Sequence, residues 1–88
     1  MIIKKDFILR QVAGTHVVLP VGVATVNFNG MITLNESGVL LWQRLEEGAT
    51  LEELAELLTV EYNVSLEEAL KDANEFVTTL DRANCIEH

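Results

Sequence analysis

The rhythm of apolar and polar positions changes about a third of the way along this chain. Before that point the runs are short and strand-like. Phe7-Ile8-Leu9-Arg10-Gln11-Val12 is rich in strand formers and stops at Ala13-Gly14. His16-Val17-Val18-Leu19 follows and stops at Pro20. Thr25-Val26-Asn27-Phe28 alternates polar with apolar and meets Asn29-Gly30, a strong turn dipeptide. Met31-Ile32-Thr33-Leu34 makes a further short run. Segment 21–30 reads either as a strand pair or as a long hairpin excursion. Three or four short antiparallel strands are expected.

Beyond Leu34 the period lengthens to that of a helix. Asn35 is a candidate N-cap, Leu41, Trp42 and Leu45 share one helical face, and Gly48 supplies a left-handed stop. Thr50 with Glu53, and Ser65 with Glu68, have capping-box spacing. Leu51, Leu54, Ala55, Leu58 and Tyr62 recur at helical spacing after the first box. Leu66, Ala69, Leu70, Ala73, Phe76, Val77 and Leu80 form a long stripe after the second. Helices are therefore expected near Asn35–Glu47, Thr50–Tyr62 and Ser65–Asn84, with a short terminal strand at Cys85-Ile86. The expected core contains Leu41, Trp42, Leu45, Leu54, Leu58, Leu70, Phe76 and Leu80. If Phe76 is core, its replacement by Ala should cost roughly 3–5 kcal/mol. Asn35-Glu36-Ser37 and Asn63-Val64-Ser65 match the glycosylation pattern but read as helix-start residues.

The pattern thus predicts an α+β fold in one domain, 1–88. A hydrophobic share of 49% provides for a real core in so short a chain. The lone cysteine, Cys85, forms no internal disulfide, and the residues read neither as a secretory signal nor as a run long enough to span a membrane. A cytoplasmic setting is expected. The net charge of −8 is unevenly placed: residues 1–34 carry +2, and residues 35–88 carry −10. Such a surface repels phosphate backbones and anionic membranes, which argues against nucleic-acid and membrane partners.

Candidate chemistry is sparse. Two distant histidines and one cysteine give no metal-ligand spacing. His16 in a strand and Cys85 beside Ile86 read as structural residues, and Trp42 reads as core. The carboxylates of the last two helices fall between apolar positions, as on a solvated face. No glycine loop is suited to a phosphate. No cofactor, metal or catalytic residue is expected, and the chain reads as a non-enzyme. Met31 and Phe28 stand apart, because they flank a strand that reads as a sheet edge. An apolar edge strand pairs with something unless it is covered.

The order of motifs now becomes informative. Phe7-Ile8-Leu9-Arg10 with Val12-Ala13-Gly14 is followed by Val18-Leu19-Pro20-Val21-Gly22. Phe28-Asn29-Gly30-Met31-Ile32-Thr33-Leu34-Asn35-Glu36-Ser37-Gly38 comes next, and then Trp42, Leu45 and Thr50-Leu51-Glu52-Glu53-Leu54. Over nearly its whole length the chain resembles the coenzyme PQQ synthesis protein D (PqqD) family. The resemblance implies a RiPP recognition element: a three-stranded sheet followed by three helices, winged-helix-like. Such a module acts as a peptide chaperone in natural product biosynthesis. It binds the leader of a ribosomally made precursor peptide by strand addition and presents it to a tailoring enzyme, often a radical SAM protein. The implied groove lies between the strand at Gly30–Leu34 and the helix at Leu66–Leu80. Its candidate contacts are Phe28, Gly30, Met31, Ile32, Thr33 and Leu34 on one side and Ala69, Asp72, Ala73 and Phe76 on the other. The parity of the strand that faces the ligand is open at this point.

Two other readings share the fold class. In a winged-helix regulator that binds nucleic acid, a basic helix would enter the major groove. Here the last helix sets Lys71 and Arg82 against Glu67, Glu68, Asp72, Glu75 and Asp81. The other alternative is a structural partner subunit with no peptide ligand. A free strand edge is compatible with a monomer or a homodimer.

Overall fold

The structure, a computed structural model, describes residues 1–22, 24–27 and 31–88. Strand β1 (Ile2–Ile3) comes first, then β2 (Phe7–Val12) and β3 (Thr15–Pro20). The β2–β3 hairpin turns on Ala13 and Gly14, whose φ values are 51° and 82°. Positive φ at both central residues is what a type I′ turn demands, and its twist matches that of the flanking strands. The register follows from this turn, running from Val12↔Thr15 to Phe7↔Pro20.

The strand-like run at 25–28, in a segment read as either a strand pair or a long hairpin excursion, takes another course. Ala24–Asn27 is one helical turn, α1, and Phe28 lies outside the described residues. The cause is local: the Ala24 and Thr25 N–H groups donate to the Val21 and Gly22 carbonyls, and the Thr25 hydroxyl also donates to Gly22 O at 2.8 Å. Gly22, at φ 60°, starts the turn. Threonine here satisfies the backbone through its side chain, and this outweighs its strand propensity.

Strand β4 (Ile32–Leu34) then pairs antiparallel with β3 through His16↔Leu34, Val17↔Thr33 and Val18↔Ile32. The sheet order is β2-β3-β4. Three helices follow: α2 (Glu36–Glu47), α3 (Leu51–Tyr62) and α4 (Leu66–Arg82). The expected fold class, a three-stranded antiparallel sheet followed by three helices, is the one observed. The terminal strand is also present: β5 (Ile86–Glu87) pairs with β1 in a separate two-stranded ladder.

Each helix begins where its cap residue lies. The Asn35 side chain accepts the Gly38 N–H. Thr50 and Glu53 complete a reciprocal capping box, and Arg44 bridges to Glu53 at 3.0 Å. At Ser65 only half of the expected box forms, with the serine accepting the Glu68 N–H. Asn63 is not a helix-start residue; it closes α3 in the left-handed conformation. Gly48 ends α2 at a φ of 94°. Replacing Thr50 by Ala removes an acceptor and loosens Glu53, so a stability loss of about 1 kcal/mol is expected in chemical denaturation. The Glu53 carboxyl is held below its ordinary value, first by the Thr50 backbone N–H and then by Arg44. Its contribution is therefore present above the ordinary glutamate range and is lost as the pH falls through the lowered value.

The core joins Leu41, Trp42 and Leu45 of α2, Leu54 and Leu58 of α3, and Ala69, Ala73, Val77 and Leu80 of α4 to Phe7 and Val18 of the sheet. Ile3, Cys85 and Ile86 extend it under the terminal ladder. Two residues expected in this core, Leu70 and Phe76, are only half-buried. The stripe on α4 is wider than the surface that α2 and α3 cover, so its flanks stay partly open. Among the described residues, no helix is long and apolar enough to cross a membrane.

Candidate peptide-binding groove

The register of the sheet decides which backbone groups β4 offers outward. In an antiparallel ladder, residues alternate between facing one neighbour and facing the other. The two residues that flank a two-residue turn, here Val12 and Thr15, exchange hydrogen bonds. Odd-numbered residues of β3 therefore face β2. The Val21 N–H, which donates to Asp6 O at 2.7 Å, continues the same series. His16 and Val18 consequently face β4, where their partners are Leu34 and Ile32. The backbone groups of Ile32 and Leu34 thus point inward to β3, and those of Thr33 point outward. Among the described residues no strand pairs with that outer side. Pro20, another even-numbered residue, needs no donor toward β2, and β4 as described ends opposite Val18.

Side chains alternate in the other sense. Thr33 is exposed, while Ile32 and Leu34 are half-buried and pack against the core. Beside them, α4 presents Phe76, Thr79 and Leu80. Together with Asn35, these residues line a groove of about 400 Å3 between strand edge and helix. An added strand would lie roughly 4.8 Å from β4 and send alternate side chains into this groove.

The groove opens into a larger cleft of about 610 Å3, which shares Asn35, Phe76 and Thr79 with it. Leu41, Leu58 and Val64 line its apolar part, with Tyr62 at the C-terminal end of α3. Glu36, Asp72 and Glu75 line it as well, and all three are exposed. Gly38 lines the larger cleft in close quarters: a Cβ there would stand 3.2 Å from Asn35 Oδ1, 3.3 Å from Leu34 Cβ and 3.4 Å from Phe76 Cε1.

The residues singled out in the sequence divide as follows. Ile32, Thr33, Leu34 and Phe76 meet at the groove, and Asp72 lines the adjoining cleft. Met31 is 62% exposed at the start of the edge. Phe28 and Gly30 lie outside the described residues. Ala69 and Ala73 are fully buried and line neither space. Their small side chains let α4 sit close on the core, and Phe76, not they, borders the groove. The groove is also lined by Asn35 and Thr79, which the sequence did not single out for it, and by Leu80, which is buried as expected of a core residue. Thr79 and Leu80 follow Phe76 by one helical turn, so helical spacing from the aromatic residue would have found them.

Among the described residues, no group of three or more His, Cys, Asp or Glu side chains could hold a metal ion. His16 is half-buried on β3. Burial pushes the Cys85 thiol up to about 11, with Lys4 pulling weakly the other way. At neutral pH about one thiol in ten thousand would then be ionised. Labelling by a disulfide reagent should accordingly track global unfolding; fast labelling of the native chain at neutral pH would contradict this burial.

The likeness to known proteins follows the same elements. The family profile described as Coenzyme PQQ synthesis protein D (PqqD) matches residues 15–86. A solved structure described as TbiB1 in complex with the TbiA(beta) leader peptide superposes with a TM-score of 0.78 at 23% identity, covering 99% of this chain and 95% of that one. A lasso peptide synthetase B1 complexed with the leader peptide superposes with a TM-score of 0.71 at 28% identity, covering 91% of this chain and 88% of that one. A search of curated protein sequences gives no significant match.

Proposed function

Because the chain belongs to the coenzyme PQQ synthesis protein D family, we propose that it is a peptide chaperone acting as one unit over 1–88. It takes up the leader of a ribosomally made precursor peptide as a strand on the outer side of β4. It presents that peptide to a separate tailoring enzyme, of the radical SAM class by family resemblance, and catalyses nothing itself. The observation that carries this reading is the outward-facing Thr33 backbone beside a groove walled by Phe76 and Leu80. Backbone pairing gives affinity without any catalytic group, and the groove selects among side chains. The two solved structures it resembles are described as holding leader peptides.

A displayed library of random peptides, panned on the immobilised full chain, tests the reading without knowledge of the natural precursor. It should return peptides with a run of strand-forming apolar residues, binding in the micromolar to nanomolar range after the cost of ordering them. Bound peptide should slow hydrogen exchange at the Thr33 N–H. Unchanged exchange at Thr33, with slowing confined to another surface, would refute strand addition at β4.

A further inference from the structure

The cleft beyond the groove has a chemistry that strand pairing does not require. It begins where β4 ends, so a peptide strand that runs past Leu34 passes over it. Its apolar wall includes Leu58 and Phe76, and Glu36, Asp72 and Glu75 line it without any Lys, Arg or His. None of these three carboxylates has an ion-pair partner among the described residues. Asp72 and Glu75 are three residues apart on α4 and therefore neighbours on one face, where like charges repel. A cation placed between them relieves that repulsion. Tyr62 lines the same cleft, and its phenol is pushed above its ordinary value, first by burial and then by the charges of Glu36 and Glu61.

Resting on the peptide-uptake reading, we infer that this cleft is a selectivity pocket for a Lys or Arg side chain of the bound leader. Both side chains combine an apolar stem with a cationic head. The stem lies along Phe76 and Leu58, and the head reaches Asp72, Glu75 and Glu36. An acidic or purely aliphatic side chain finds no such match: the first is repelled and the second leaves the carboxylates uncompensated. Chains with a basic residue next to their strand-forming run are therefore preferred over otherwise similar peptides.

The test pans the same displayed library of random peptides on the full chain and on its D72N/E75Q variant. Both substitutions are at exposed positions and preserve shape, and thermal melting verifies that the variant is folded. Peptides recovered on the native chain should carry Lys or Arg at a constant offset from the apolar run. Those recovered on the variant should keep the run and lose the basic preference. One recovered peptide, synthesised, should bind the variant about fivefold to tenfold more weakly at low salt. That gap should narrow as salt screens it. Exchanging the peptide's basic residue for Met should weaken binding to the native chain by a similar factor and leave binding to the variant nearly unchanged. A native-chain pool without basic preference, or a preference that survives in the variant, overturns the pocket while leaving strand uptake intact. Failure of the native chain to recover any strand-forming peptide overturns the uptake reading, and the pocket with it.

Discussion

Thr33→Pro should stay folded and lose its peptide, whereas Ile32→Pro should melt early. The two sites are adjacent on β4, and only the direction of their backbone N–H groups separates them. Ile32 faces β3 opposite Val18, so proline there removes a ladder hydrogen bond and inserts a ring between strands. It also discards a side chain that packs against the core. A loss of about 3 kcal/mol or more is expected, a large share of the roughly 5–15 kcal/mol that holds a domain together. Thr33 points its N–H to the free side, where edge strands accept proline. The constraint that proline places on the residue before it also suits Ile32, already extended in β4. The stability change at Thr33 should stay within about 1 kcal/mol. A docked peptide, however, loses a backbone partner and meets the pyrrolidine ring. Affinity should fall on the order of tenfold to a hundredfold. Thermal melting and titration with a peptide selected on the native chain read both effects. Full affinity in a folded Thr33→Pro chain would remove β4 as the binding edge.

The second large effect separates packing from binding on the helical side. Leu54 is fully buried and lines neither the groove nor the cleft. Leu54→Ala should cost about 2–5 kcal/mol of stability, while the folded fraction binds peptide as before. Phe76 is half-buried and lines both spaces. Part of its ring is already in water, so Phe76→Ala should cost less than a core aromatic does, about 1–3 kcal/mol. Under the proposed function, its loss opens the wall against which peptide side chains would pack. Binding should weaken about tenfold to a hundredfold, as for an aromatic anchor at an interface centre. Phe76→Leu should recover most of the stability and only part of the affinity. If Phe76→Ala destabilises as much as Leu54→Ala and leaves affinity unchanged, the ring belongs to the core and the groove lies elsewhere.

What the sequence determined by itself is what short-range chemistry controls. Asn35, Thr50 and Ser65 begin the helices because a side-chain acceptor reaches an N–H two or three residues ahead. Ala13-Gly14 closes the first hairpin because both residues adopt positive φ. The family resemblance, carried by residues such as Thr33-Leu34-Asn35-Glu36-Ser37-Gly38, located the strand and helix that flank the groove. Tertiary structure decided the rest, because burial depends on how much of each element its neighbours cover. Periodicity placed Ala69, Ala73, Phe76 and Leu80 on one stripe without ranking them. Only the approach of α4 to the core shows that the alanines are sealed inside while Phe76 borders open space. The run at Thr25 alternates like a strand, yet its hydroxyl and the Gly22 carbonyl hold it in a helical turn. The outward parity of Thr33 is also a tertiary fact. Strand propensity is the same for either face, and a one-residue slip in pairing would reverse every side chain. The register carried from the Ala13-Gly14 turn through β3 to β4 selects one of the two, and with it the backbone groups that no described strand pairs with.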